Sequence, residues 1–158
     1  MPGYRTHVVF AVGVYAATMG ALSVYAHRPV VLTPAVAFLW FMSTILGALF
    51  PDVDIKSKGH MLFYEVVVVA LFFTWLKAEH SFFVVITFLS LLPLLVRHRG
   101  LFHAWWFIVS IPFFVAIVSS LYYPLYCNKV VIVSLFFSLG ALSHCFLDWF
   151  VTKLNRRR

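Results

Sequence analysis

The sequence predicts an all-α protein, a polytopic bundle of about six transmembrane helices forming a single integral membrane domain over residues 1–158. Three observations carry this. Hydrophobic residues make up 63% of the chain and charged residues 11%, too little polar surface to cover a soluble domain of this length. Apolar runs close to the span of a bilayer core recur along the chain. The polar joints between them are short and leave no stretch for a separate soluble domain.

The first run, Val8 to Ala26, is 19 residues long. Val24-Tyr25-Ala26 would pass as a signal-peptidase site, but the run exceeds a usual signal core, so a retained first helix is expected. After His27-Arg28-Pro29, a second helix is expected over Val30 to Phe50, ended by Pro51, which lacks the next backbone donor. The polar stretch Asp52 to Gly59 follows, then a third helix over His60 to Leu76 and a tight turn at Lys77 to His80. A fourth, Ser81 to Val96, is broken by Arg97-His98-Arg99-Gly100. The fifth is expected over Leu101 to Leu125 with Pro112 inside as a kink, and the sixth over Val130 to Val151.

Six spans put both termini on one side. That side carries nine Lys and Arg residues (Arg5, Lys56, Lys58, Arg97, Arg99, Lys153 and Arg156 to Arg158), against three on the other (Arg28, Lys77 and Lys129). The bias places N- and C-termini in the cytoplasm of an inner, or plasma, membrane. It also accounts for the net charge of +7 without a nucleic-acid partner. Cys127 and Cys145 are too few for a disulfide framework.

On this topology the histidines and acids gather at the cytoplasmic face. His7 opens helix one, Asp52 and Asp54 follow helix two, His98 and His103 flank the break before helix five, and His144 and Asp148 lie in the second half of helix six. His60 and Glu65 share that side as reserve candidates, while His27, Glu79 and His80 fall on the other. Imidazole with carboxylate suits zinc, manganese or iron. The spacing of His144 and Asp148 stacks both on one helix face, about 13 and 7 Å below Lys153 at 1.5 Å per residue. An aspartate inside a span costs roughly 2.5–3.5 kcal/mol, which a bound cation offsets; a His–Asp hydrogen bond between helices is the plainer alternative. Asp52 and Asp54, taken alone, read first as a solvated loop after a helix, although the negative end of the helix dipole favours a nearby cation.

Four segments in order, Thr6-His7, Leu46-Gly47-Ala48-Leu49-Phe50-Pro51-Asp52-Val53-Asp54, His98-Arg99-Gly100-Leu101-Phe102-His103 and Leu139-Gly140-Ala141-Leu142-Ser143-His144 with Asp148, resemble one known family. The chain is similar to the YdjM/YbcI-type inner-membrane proteins, which are predicted metal-dependent hydrolases. Their pattern is an early His, Pro-Asp-x-Asp, His-Arg-Gly-x-x-His and a late His-x-x-x-Asp. Phe102 and Ala104 stand where that family usually has hydroxyl side chains. The motif order is also similar, in ligand pattern alone, to zinc-dependent phospholipase C.

The resemblance implies one or two divalent ions, zinc first, held by His7, Asp52, His103, His144 and Asp148. Asp54 is the expected general base with His98 as rival, and Arg99 the expected partner of a phosphoryl oxygen. Location beside the headgroups points to membrane lipids as partners and to a lipid-linked phosphoester or ester as substrate. The rival readings are a small metal or proton transporter, and a degenerate member that binds another membrane protein. The outer half is nearly blank in polar residues, which favours a one-sided site over a pathway.

Overall fold

The computed structural model describes residues 3–25, 33–53, 58–78, 80–95, 101–122 and 124–156. They form six helices: α1 (Tyr4–Tyr25), α2 (Pro34–Leu49), α3 (Lys58–Leu76), α4 (His80–Leu95), α5 (Trp105–Tyr122) and α6 (Cys127–Asn155). Three short 3-10 turns, Phe50–Asp52, Leu101–His103 and Pro124–Tyr126, sit between them. No strand occurs among the described residues.

Among the described residues, five helical segments are long and apolar enough to cross a bilayer, α2 being counted with its 3-10 turn from Pro34 to Asp52. The exception is α4, whose 16 residues, with no such extension among the described residues, reach about 24 Å against a hydrocarbon core of about 30 Å. Exposed Val9, Phe38, Phe72, Phe114 and Leu121 spread over several helices. That apolar surface is far more than a soluble monomer shows and is what acyl chains cover.

Local chemistry sets the helix limits. Thr33 is held extended (φ −70°, ψ 147°) by the following Pro34, and its Oγ1 accepts from Val36 N at 3.4 Å. Helix α2 therefore starts at a threonine cap with proline in its first turn. Its far end tightens into the 3-10 turn at Phe50-Pro51-Asp52, where proline removes a donor that α-helical bonding would need. Two expected limits are corrected. Helix α1 begins at Tyr4, so His7 lies one turn inside it, and the fifth helix does not run unbroken from Leu101. Leu101–His103 is a separate turn, and the Ala104 carbonyl accepts from Phe107 N and Ile108 N at 3.0 and 3.1 Å to open α5.

Helices α2 and α6 form the centre of the bundle and run parallel. Ser43 Oγ donates to the Val133 carbonyl at 2.8 Å, and further along the His144 ring meets the Ala48 carbonyl. Between these points the backbones touch: a Cβ at Gly47 would collide with the Phe137 carbonyl, and one at Gly140 with the Thr44 carbonyl. Small residues bring helices close in lipid, where hydrophobic burial gives no net drive for association. Helix α1 crosses the pair antiparallel: Tyr15 donates to the Ala37 carbonyl at 2.9 Å, and Phe10 stacks on Phe146. Helix α5 packs on the other flank of α6, while α3 and α4 pack chiefly on each other. The start of α1 and the end of α6 thus share one end of the bundle with the turns at Phe50–Asp52 and Leu101–His103.

Replacing Gly47 or Gly140 with alanine should force α2 and α6 apart and cost about 1–3 kcal/mol. Gly13→Ala, with open space around it, should be neutral or gain up to about 1 kcal/mol from helix propensity. Thermal unfolding of the three variants in one detergent checks this; equal midpoints for all three would remove the close approach.

Candidate metal centre

All five residues expected as ligands converge at that shared end. His7 comes from the first turns of α1, Asp52 from the turn after α2, His103 from the turn before α5, and His144 and Asp148 from α6. His7 Nε2 lies 3.5 Å from Asp148 Oδ1, and His144 Nε2 lies 3.7 Å from Asp148 Oδ2. His144 Nε2 is 3.6 Å, and His103 Nε2 3.9 Å, from Asp52 Oδ1. The order in space is therefore His7, Asp148, His144, Asp52, His103, imidazole and carboxylate alternating. Two groups of three, His7 with Asp52 and His144, and His103 with His144 and Asp148, each bring ligand atoms within 4.8 Å of one another.

The residues form a floor and a rim. His7 and His144 are 2% and 1% exposed and stack face to face, ring centres 3.7 Å apart. Asp148, His103 and Asp52 keep 13, 16 and 20% of their side chains accessible. A ligand or substrate would reach the centre from that side. Exposed Trp105, Trp106 and Trp149 flank this end, and Lys153 Nζ sits 4.7 Å over the Trp149 ring. Such a belt marks headgroup depth.

The tautomer of His144 decides what the centre wants. Its Nδ1 lies 2.7 Å from the Ala48 carbonyl, which only accepts, so Nδ1 carries the proton and donates. In the neutral ring Nε2 then presents a lone pair to two carboxylate oxygens. Nε2 of His144 and Oδ1 of Asp148 are buried with no hydrogen-bond partner among the described residues. Three acceptors facing one another repel unless a cation lies between them. A proton would draw an N–H···O pair to about 2.7–2.9 Å. Four tetrahedral ligands at 2.0–2.1 Å from an ion stand about 3.4 Å apart. The observed 3.5–3.9 Å separations resemble the second arrangement and exceed a hydrogen bond. The donor set and its spacing fit a divalent ion.

Neighbouring packing fixes the two turns. Phe50, Val53 and Phe102 form a buried cluster, with Phe63, Phe107 and Phe137 against it. Phe50 and Phe102 meet edge to face at 5.4 Å, tying the turn that holds Asp52 to the one that holds His103. Phe102 is thus a core side chain. His60 Nδ1 donates to the Val53 carbonyl at 2.6 Å, bracing the same turn from α3. That assigns His60 a supporting role; Glu65 is exposed on α3 and outside the cluster. Sequence reading missed the Ala48 carbonyl, since a backbone acceptor has no side-chain signature. Asp54, His98 and Arg99 lie outside the described residues.

Comparison with known proteins adds the lineage. No curated protein and no solved structure matches the chain. The family model described as YdjM inner membrane protein matches residues 1–153, nearly the whole chain and every residue of the centre. The chain belongs to the YdjM inner membrane protein family.

Proposed function

We propose that this protein is a membrane-embedded, metal-dependent hydrolase that acts at the cytoplasmic membrane face on a phosphoester or lipid-linked ester. The observation behind it is the His144 Nε2 lone pair, buried and aimed at the oxygens of Asp52 and Asp148. His7, Asp52, His103, His144 and Asp148 would hold one or two divalent ions, zinc by the character of the donors. Such an ion lowers the pKa of a bound water to about 7 and turns it into a nucleophile.

The rest falls to the chain. The Ala48 carbonyl fixes His144 in the tautomer that offers Nε2. Asp148 turns one oxygen to His7 and the other to His144, so both imidazoles keep a set orientation. The buried His7 and His144 shut water out from below, and the accessible edges of Asp52 and His103 face the incoming ester. Asp54 as base, and Arg99 for a phosphoryl oxygen, stand on their sequence positions two residues after Asp52 and one after His98.

The side of action follows the charge bias of the loops, nine basic residues against three. Alkaline phosphatase fused after Arg158 should be inactive, and a fluorescent protein there should fluoresce; the reverse pattern would turn the bundle over.

A transport pathway finds little support. Among the described residues, the buried polar side chains away from the centre are serines and a threonine bonded to backbone carbonyls. Ser43 donates to Val133, Thr44 to Trp40, Ser138 to Ser134 and Ser143 to Gly140. Among the described residues, no chain of titratable groups leads from them to the opposite face, as a proton or ion relay would need.

Metal analysis of detergent-purified protein tests the centre. Wild type should carry stoichiometric metal, and His144→Ala and Asp148→Ala should lose nearly all of it. Equal content in the three proteins would abolish the centre, and metal flux into proteoliposomes would favour the transport reading. His60→Ala leaves every ligand in place and should weaken metal affinity about tenfold by freeing the turn at Asp52; a chelator competition titration measures it.

A further inference from the structure

A cleft of about 180 Å3 opens between α2, α3 and α6 on the far side of the turn that carries Asp52. Leu46 and Leu49 of α2, Leu62 and Val66 of α3, and Phe137 of α6 form its walls, and Phe50 and Val53 close its upper end. Every side chain that lines it is apolar. Phe50 and Val53 flank Asp52, so a single turn of backbone separates this cleft from the His/Asp centre.

Depth and direction identify the occupant. The upper end lies level with the centre, which the exposed Trp105, Trp106 and Trp149 place at headgroup depth. From Gly59 to Val66 the α3 wall descends about 10 Å into the span at 1.5 Å per residue. At that depth the surrounding medium is acyl chain, not water, and Val66, 44% exposed, stands at the mouth toward it. An apolar slot that runs along the membrane normal, with its top beside a polar reaction centre, has the shape of a seat for one lipid tail. The cleft arises because the α3–α4 pair stands off from the tight α2–α6 core and meets it only lightly, along α2 and at the Phe50–Asp52 turn.

We propose that this cleft seats one acyl chain of the lipid whose headgroup ester enters the His/Asp centre. The substrate class becomes a membrane lipid carrying a phosphoester or carboxylic ester at the headgroup end, rather than a soluble ester that diffuses in from the cytoplasm. The tail holds the ester at the accessible edges of Asp52 and His103, and binding energy from a remote part of the substrate is used to position its reacting end. The proposal rests on the metal-centre reading for the chemistry, whereas the seat itself is built from other residues.

The test uses the full chain in nanodiscs of dioleoyl phosphatidic acid, extracted gently into detergent and weighed by native mass spectrometry, with metal content measured on the same samples. Wild type should retain one phosphatidic acid per chain. Val66→Trp and Leu62→Trp fill the cleft and should cut that retention at least tenfold with metal content unchanged. Val68→Trp, on the lipid-facing side of α3, should behave as wild type. Dibutyryl phosphatidic acid, which lacks a long tail, should not displace the retained lipid. If Leu62→Trp fails to fold by circular dichroism, Val66→Trp at the open mouth carries the test. Wild type leaving the nanodisc bare, or cleft variants retaining lipid as wild type does, would overturn the seat. His144→Ala separates the two readings: it should lose metal yet keep lipid, and if it keeps both, the metal centre falls while the seat stands.

Discussion

The contact between α2 and α6 governs the rest of the molecule. The backbones of the two helices touch at Gly47 with Phe137 and at Gly140 with Thr44, where no side chain could be inserted. In a bilayer, lipid solvates leucine as well as a neighbouring helix does, so association depends on close packing and on polar bonds such as Ser43 to Val133. The register follows from that fit. It sets the Ala48 carbonyl against His144 and Asp52 beyond it, opposite His144 and Asp148. A slip by one turn, about 5.4 Å, would leave the imidazole without its acceptor and Asp52 without its neighbours.

On this pair the polar centre is assembled by elements that each bring one group. Helix α1 crosses antiparallel and delivers His7 onto the face of His144, and the turn before α5 delivers His103. Three imidazoles and two carboxylates in the end of a membrane bundle are costly to bury. Their alternation lessens the cost, since each carboxylate lies between rings, and a cation among them would offset most of the remainder. Among the described residues, the buried Nε2 of His144 and Oδ1 of Asp148 have no hydrogen-bond partner.

The surroundings divide into rigid and open parts. The Phe50, Val53 and Phe102 cluster locks together the two turns that carry Asp52 and His103. The α3–α4 pair is attached more loosely, braced by His60 on the Val53 carbonyl. That looseness leaves the apolar cleft beside the centre. On the proposed reading, a compact core would fix the metal ligands and a lighter pair would admit a lipid tail, so that one reaction is served by two different mechanical demands.

The amino-acid sequence alone determined the class, the helices and the residue types that gather at one end. Apolar runs of bilayer length leave no other way to satisfy the backbone, and Pro51 and Gly100 mark where runs end. Aspartate and histidine inside such runs announce a site because their burial must be offset; His144 and Asp148, one turn apart, share a face by helical period alone. What only the tertiary structure decided is how these groups meet. Alternating spans already make α2 and α6 parallel, but they do not reveal that the two are in contact, because Gly47 and Gly140 lie 93 positions apart and each could have packed elsewhere. Nor does it show that a backbone carbonyl at Ala48 selects the His144 tautomer, that Phe102 is core, or that His60 braces a turn. These depend on distances between segments remote in the chain, and local sequence pattern carries no information about them.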